Sequence, residues 1–336
     1  MKRKKVLIIR FSSLGDVILS LPVASAIKQN DSDTVVDFVT RAEYAPIFDQ
    51  FPAVDTAYAF DGNMRLLLKE LKKRKYDTVI DLQKNPRSLI FTVGINPKTV
   101  VSYPKRRLRR ELIIRRPKLK FNIGHTVDAY LVALKRLKVK PISRRPRVEL
   151  EEDIVKYGED FVNNTGFSGK IIGLCPGSKH YEKRWLKYRE LAELLIDDGD
   201  KNIIVFSGSS DEFDSNLNIS SEKLVAAHNL KIDLVAGLMS KCDLIVTNDS
   251  GLMHLAVSLS APVVAIFGPT HPSLGFAPLG DKDRVICDNV ECSPCSLHGE
   301  KKCRMIQKYC FEKISPQRIK EEVDSVLYEK SPSKIL

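Results

Sequence analysis

The sequence has no long apolar run. Nowhere do about 18 uncharged apolar residues follow one another, so no membrane-spanning helix is expected. Glycine and proline are sparse, 17 of each in 336 residues, which argues against a collagen-like or disordered chain. There is no short-period repeat and no low-complexity tract. No G-x-G-x-x-G follows a strand-like run, which disfavours a nicotinamide dinucleotide site. A secreted disulfide framework is also missing. The seven cysteines are odd in number and five crowd into Cys287–Cys310, so a cytoplasmic location is expected. The first residues imitate a signal peptide, with Lys2, Arg3, Lys4 and Lys5 ahead and Ala24-Ser25-Ala26 behind. Arg10, Ser12-Ser13 and Asp16 interrupt the apolar stretch that such a leader needs.

What is present is an ordinary globular composition, 43% apolar and 29% charged, with length enough for two domains. The charge is unevenly spread. Residues 1–150 hold 32 Lys and Arg against 14 Asp and Glu, whereas residues 151–336 hold 22 against 28. Such asymmetry predicts an anionic partner for the first half.

Short β-branched runs alternate with amphipathic stretches. Val6–Phe11, Val35–Val39, Thr56–Phe60, Thr78–Asp81 and Val100–Tyr103 read as strands. Asp16–Gln29, Met64–Lys73 and Thr126–Leu137 read as helices between or after them. Lys138–Pro146 reads as a linker. The alternation then resumes, with strands at Ile171–Cys175, Ile203–Phe206, Leu244–Thr247 and Val263–Phe267. Helices are expected at Tyr188–Ile196, Leu230–Met239 and Gly251–Ser258. The fold class is α/β, with two doubly wound parallel sheets in tandem. Ligands of such sheets bind beyond the carboxyl ends of strands, so the residues after each strand are the ones to inspect.

The first strand ends in Ser12-Ser13-Leu14-Gly15-Asp16. This turn presents small residues and backbone N–H groups at a helix N-terminus, which can accept anionic oxygen. Asp16 suits a first-turn carboxylate favoured by the helix dipole, and equally a base able to take a proton from a hydroxyl. The second half offers Pro176-Gly177-Ser178 with Lys183-Arg184-Trp185 soon after, a candidate phosphate-binding turn. Asp211-Glu212 follow the next strand, where an acidic residue can accept hydrogen bonds from ribose hydroxyls. The strongest local pattern is Asn248-Asp249-Ser250-Gly251-Leu252-Met253-His254, a polar turn running into an apolar helix. Phe267-Gly268-Pro269-Thr270 is a third small polar turn on the same edge. Asp31-Ser32-Asp33 and Asp281-Lys282-Asp283 resemble D-x-D metal motifs only superficially and read as surface turns.

In this order and spacing the turns resemble the ADP-heptose:lipopolysaccharide heptosyltransferases of glycosyltransferase family 9, over about residues 4–328. The resemblance implies a GT-B fold, two Rossmann-like domains facing across a cleft. It divides the chain into an acceptor domain at 1–145, a nucleotide-sugar domain at 146–315 and a final helix within 316–336 that returns to the first domain. It implies inverting transfer of heptose from ADP-heptose to the Kdo/heptose inner core of lipopolysaccharide. Asp16 matches the catalytic base and Lys183 the lysine facing the diphosphate. Glu212 matches the acidic residue near the ribose, and Asp249, Ser250, Gly251 and His254 the donor turn, with Ser178 beside them. The segment Lys179-His180-Tyr181-Glu182 departs from the shared pattern. A related transferase with another donor sugar or acceptor is the alternative reading.

No metal is required if Lys183, turn amides and helix N-termini stabilise the leaving ADP. Ser12, Ser13 and Gly15 are expected on the acceptor side. So are Arg106, Arg107, Arg109 and Arg110, from a run in which Lys105–Lys120 holds nine cations and one Glu. Kdo carboxylates, lipid A phosphates and the cytoplasmic face of the inner membrane are all anionic, so peripheral membrane association is expected. Nucleic acid is disfavoured, because no recognisable module is present and aromatics are not interleaved with the basic residues. Cys292-x2-Cys295-x7-Cys303-x6-Cys310 resembles a structural zinc knuckle of irregular spacing, with reduced packing cysteines as the alternative.

Overall fold

A computed structural model describes residues 3–116, 123–208, 217 and 219–328. The first sheet comprises β1 (Lys5–Ile9), β2 (Val35–Arg41), β3 (Thr56–Phe60), β4 (Thr78–Asp81) and β5 (Thr99–Ser102). All neighbours are parallel, in the order β3-β2-β1-β4-β5. Helices α1 (Leu14–Asn30), α2 (Met64–Arg74) and α3 (Pro86–Ile95) supply crossovers, and α4 (Arg107–Arg115) and α5 (Thr126–Leu131) follow β5. The buried run Val6–Ile9 explains why β1 is central: a strand covered on both faces must be apolar throughout.

After α6 (Glu152–Thr165) the second sheet forms from β6 (Lys170–Cys175), β7 (Lys201–Ser207), β8 (Leu224–His228), β9 (Leu244–Asn248), β10 (Val263–Phe267) and β11 (Arg284–Cys287). It too is wholly parallel, in the order β11-β10-β9-β6-β7-β8. Read from β8, this is the dinucleotide-fold order, with the winding direction reversing between β6 and β9. The first sheet reverses between β1 and β4. Helices α7 (Tyr188–Asp197), α8 (Ile232–Met239), α9 (Gly251–Ser258), α10 (Tyr309–Glu312) and α11 (Pro316–Tyr328) complete this half.

The chain divides into two compact units. One is Met1–Arg107 with Gly124–Glu152 and Lys231–Asp233; the other is Leu108–Ile123, Asp153–Leu230 and Leu234–Leu336. Two placements differ from expectation. Most of α4 packs with the second unit, because Ile113 and Ile123 form an apolar cluster with Leu274. Helix α11 does not return to the first unit. Its stripe of Ile319, Val323 and Val326 is buried in the second core beside Leu191, Leu195 and Ile266. Polar anchors reinforce that seat, with Arg318 on Asp288 at 2.8 Å and Lys320 on Asp198 at 2.8 Å. No described helix is long and apolar enough to cross a membrane.

Candidate active site

In the first unit the end of β1 is held by the end of β4. The Gln83 side-chain oxygen accepts the N–H groups of Phe11 at 2.9 Å and Ser12 at 3.3 Å. Ser13 is the N-cap of α1. Asp16, at the third helical position, accepts the Ser13 backbone N–H at 3.4 Å and its hydroxyl at 3.1 Å. These two bonds from Ser13 tie down the helix start and are a structural use of Asp16. Gly15 is buried beside it.

Asp16 also has partners that a cap does not need. Arg10 lies 2.6 Å from one carboxylate oxygen, and the Tyr130 hydroxyl donates to the other at 2.8 Å. Arg10 is buried and donates to the Leu82 carbonyl at 2.6 Å, with its guanidinium centre 5.6 Å from the Tyr130 ring centroid. Burial opposes the Arg10 charge, but Asp16 and the phenols of Tyr130 and Tyr103 overcome it and hold the guanidinium above its ordinary value. Burial lifts the Tyr130 phenol well above its usual value against the pull of Arg10, so it stays a donor. The carboxylate is therefore aimed from two sides by groups that cannot change charge near neutral pH.

Nearby cations crowd one another. Burial, together with Arg10 and Arg107, pushes the Lys105 ammonium below its usual value. An anionic ligand would relieve that repulsion. Of the expected acceptor arginines, Arg107 and Arg109 are exposed and Arg106 is half-buried. Arg110 is not available at an open surface. It is buried within the second unit, donating to the Leu274 carbonyl at 3.1 Å and lying 4.7 Å over the Phe276 ring. The outer part of the basic run, Lys118 and Lys120, lies outside the described residues.

In the second unit the ends of β6, β9 and β10 converge. Asn248 is buried; its amide donates to the Pro176 carbonyl at 2.7 Å and its oxygen accepts from the Trp185 N–H at 3.1 Å. This one side chain ties the Pro176-Gly177-Ser178 turn and the Lys183-Arg184-Trp185 segment to the strand carrying the third motif. Ser178 is buried there and its carbonyl accepts from Arg184 at 3.0 Å. Lys183 pairs with Asp249 at 2.8 Å, and Thr270 donates to the same carboxylate oxygen at 2.7 Å. Burial acts to raise the Asp249 carboxyl, but Lys183, Thr270 and His254 outweigh it and hold it below the usual carboxylate value. Ser250 caps α9, Gly251 opens it, and His254 is buried one turn in. Helix N-terminal N–H groups and a lysine can together hold a diphosphate. Glu212 lies outside the described residues.

Gly299, at φ +80°, lets a loop from the cysteine-rich segment lie flat on Lys183, since an added Cβ would come within 2.2 Å of the lysine stem. That loop is seated on the turn after β10, with the Cys295 N–H on the Pro269 carbonyl at 3.0 Å and the Ser293 hydroxyl on Gly268 at 2.7 Å. Cys292, Cys295, Cys303 and Cys310 are all free thiols that line one small cavity of about 20 Å³. Among the described residues, no group of three His, Cys, Asp or Glu side chains stands in metal-binding geometry.

Sequence reasoning missed Arg10, Tyr130, Gln83 and the tie made by Asn248. Arg10 had a signal, a charge at the end of an apolar strand. Tyr130 had none, since its spacing is that of an ordinary core residue.

Each of the two parallel-sheet units carries polar turns at its switch point, where the ligands of doubly wound folds bind. The family profile described as glycosyltransferase family 9 (heptosyltransferase) matches residues 64–306. The chain therefore belongs to glycosyltransferase family 9 and is a glycosyltransferase. Lipopolysaccharide heptosyltransferase 2 of Salmonella typhimurium is 28% identical, covering 97% of this chain and 99% of that protein. The solved structure of Escherichia coli ADP-heptose lps heptosyltransferase II is 26% identical with a TM-score of 0.77, covering 97% of this chain and 99% of its own. A family 9 glycosyl transferase from Veillonella parvula shares the fold at TM-score 0.81 and 22% identity, over 98% of this chain and 99% of its own.

Proposed function

We propose that this enzyme moves heptose from ADP-heptose to the Kdo/heptose inner core of lipopolysaccharide with inversion. The acceptor hydroxyl oxygen forms the new bond to the anomeric carbon and its proton passes to Asp16. The bond from that carbon to the phosphate oxygen breaks, and ADP leaves with the electron pair. Lys183 and the N-terminus of α9 balance the charge that develops on ADP. Asp249 sets the position of Lys183, and Ser178, Ser250, Gly251 and His254 surround the donor. Ser12, Ser13 and Gly15 frame the acceptor hydroxyl, while Arg106, Arg107 and Arg109 meet acceptor carboxylates and phosphates. Glu212 is assigned to the ribose. The observation that carries the reading is the Lys183–Asp249 pair beside a helix N-terminus at the switch point of the second sheet. No metal enters this reaction.

The test is transfer from ADP-heptose to Kdo-lipid and heptosyl-Kdo-lipid acceptors. Turnover with either supports the reading and tells which core position is filled. Tight ADP binding without turnover would move the assignment to another donor sugar or acceptor. Peripheral association with the cytoplasmic face of the inner membrane follows from a lipid-linked acceptor and the basic first half.

The four thiols of Cys292, Cys295, Cys303 and Cys310 are proposed to hold a structural zinc. Four soft donors around one cavity suit a tetrahedral thiolate site, which requires the thiols to turn inward. Metal analysis of purified protein and of Cys292→Ser decides it. Equal metal content in both would leave these residues as packing cysteines.

A further inference from the structure

Helix α3 breaks the rule that a surface helix is polar on its outer side. Its inner face is apolar, with Phe91 and Ile95 in the first core. Its outer face is apolar too: Leu89 is 59% exposed, Ile90 48% and Val93 69%. The spacing 89, 90, 93 makes these one continuous stripe. Gly94 lets α2 lie against α3, because an added Cβ would come within 2.6 Å of the Leu68 side chain. Helix α2 adds Leu66, itself 63% exposed. Around this patch cations outnumber acids, although Glu70 on α2 is exposed too. From Met64 to Arg107 there are twelve Lys and Arg against three Asp and Glu, and Arg65, Lys69, Lys72, Lys73 and Arg87 are exposed.

We propose that the α2–α3 face is a bilayer-docking surface that inserts Leu66, Leu89, Ile90 and Val93 among anionic phospholipids while the flanking cations meet headgroups. Apolar side chains ringed by Lys and Arg are what an anionic interface selects, since burial and charge attraction then add. Helix α3 begins directly after the β4 end that holds the Asp16 turn through Gln83, so docking there would bring the acceptor-side turn near the membrane. The proposal deepens the lipid-linked acceptor reading and rests on it for its purpose, not for its measurement.

The experiment is co-sedimentation of the full chain with phosphatidylethanolamine–phosphatidylglycerol vesicles and with phosphatidylcholine vesicles, for wild type and Leu89→Ser/Val93→Ser. Both positions are exposed, so the fold should survive, and a thermal melt checks this. Wild type should bind the anionic vesicles and keep a fraction bound in high salt. The double variant should bind at least about tenfold more weakly, with transfer to a soluble acceptor fragment unchanged. Equal binding by both proteins would overturn the proposal and leave attachment to the cations alone. Absence of wild-type binding would also overturn it, without touching transfer. A wild-type dimer in light scattering that the variant dissociates would assign the face to a second copy instead. Loss of transfer from ADP-heptose with vesicle binding intact would overturn the functional reading and spare the surface.

Discussion

Both sheets put a carboxylate at the helix that follows a switch-point strand, yet each carboxylate is served by a different cation. Asp16 is held by Arg10, which sits at the end of its own strand, is buried and has further bonds of its own. Asp249 is held by Lys183, which comes from a short turn and lies under a loop from elsewhere in the unit. A guanidinium fixed by strand, carbonyl and ring stays where it is. An ammonium on a flexible stem can exchange one anion for another. The difference teaches which anion is permanent. In the proposed reaction the Arg10–Asp16 couple would keep its geometry, whereas the Lys183–Asp249 couple would be shared with a phosphate.

The sharpest way to break this comparison is at Asp16. Asp16→Asn leaves one acceptor oxygen where Tyr130, Ser13 and Arg10 shared two, and it removes the base, so transfer should fall about 10²–10⁴-fold with ADP affinity unchanged in calorimetry and with some stability lost. Arg10→Met should strike stability hardest, since a nearly buried charged Asp16 would lose its partner. A loss of roughly 3–5 kcal/mol is expected in urea unfolding. Lys183→Met should lower turnover by about 10²–10³-fold and also cost stability, since buried Asp249 loses its partner, and Lys183→Arg should not restore turnover, because a planar fork cannot take the ammonium's place beneath Gly299. The smallest effect belongs to Thr270→Val, about 1–2 kcal/mol in the same unfolding measurement.

The last variant also has a pH signature. The Asp249 carboxyl is held below its unfolded value, so its contribution to stability is present at neutral pH and is lost as pH falls through the folded value. Removing the Thr270 hydroxyl lets that folded value rise. The acid melting profile of Thr270→Val should therefore begin its decline at higher pH than wild type.

Much of this was legible in the sequence, because parallel strands buried on both faces are short β-branched runs. Thr56–Phe60, Thr78–Asp81 and Val263–Phe267 were expected with the bounds observed. The edge strands β8 and β11 were not, since an edge needs less apolar surface. Helix α3 escaped because it is apolar on both sides and so has no amphipathic period to read. That same feature marks it as a docking face. The motif turns were legible because backbone geometry at switch points demands small polar residues. Partners from distant segments, such as Tyr130 for Asp16 and Thr270 for Asp249, were not, because only the fold decides which carboxylate they meet. The seat of α11 was missed for a related reason: its stripe is legible, but not which sheet it fits.

The central claim is that Asp16 does chemistry beyond capping a helix. The most direct test measures heptose transfer from ADP-heptose alongside ADP affinity and melting temperature, for wild type and Asp16→Asn. Lost transfer with ADP affinity retained is expected, with a melting temperature lowered but still well above the assay temperature. Wild-type transfer rates in Asp16→Asn would contradict it and leave Asp16 as a cap alone.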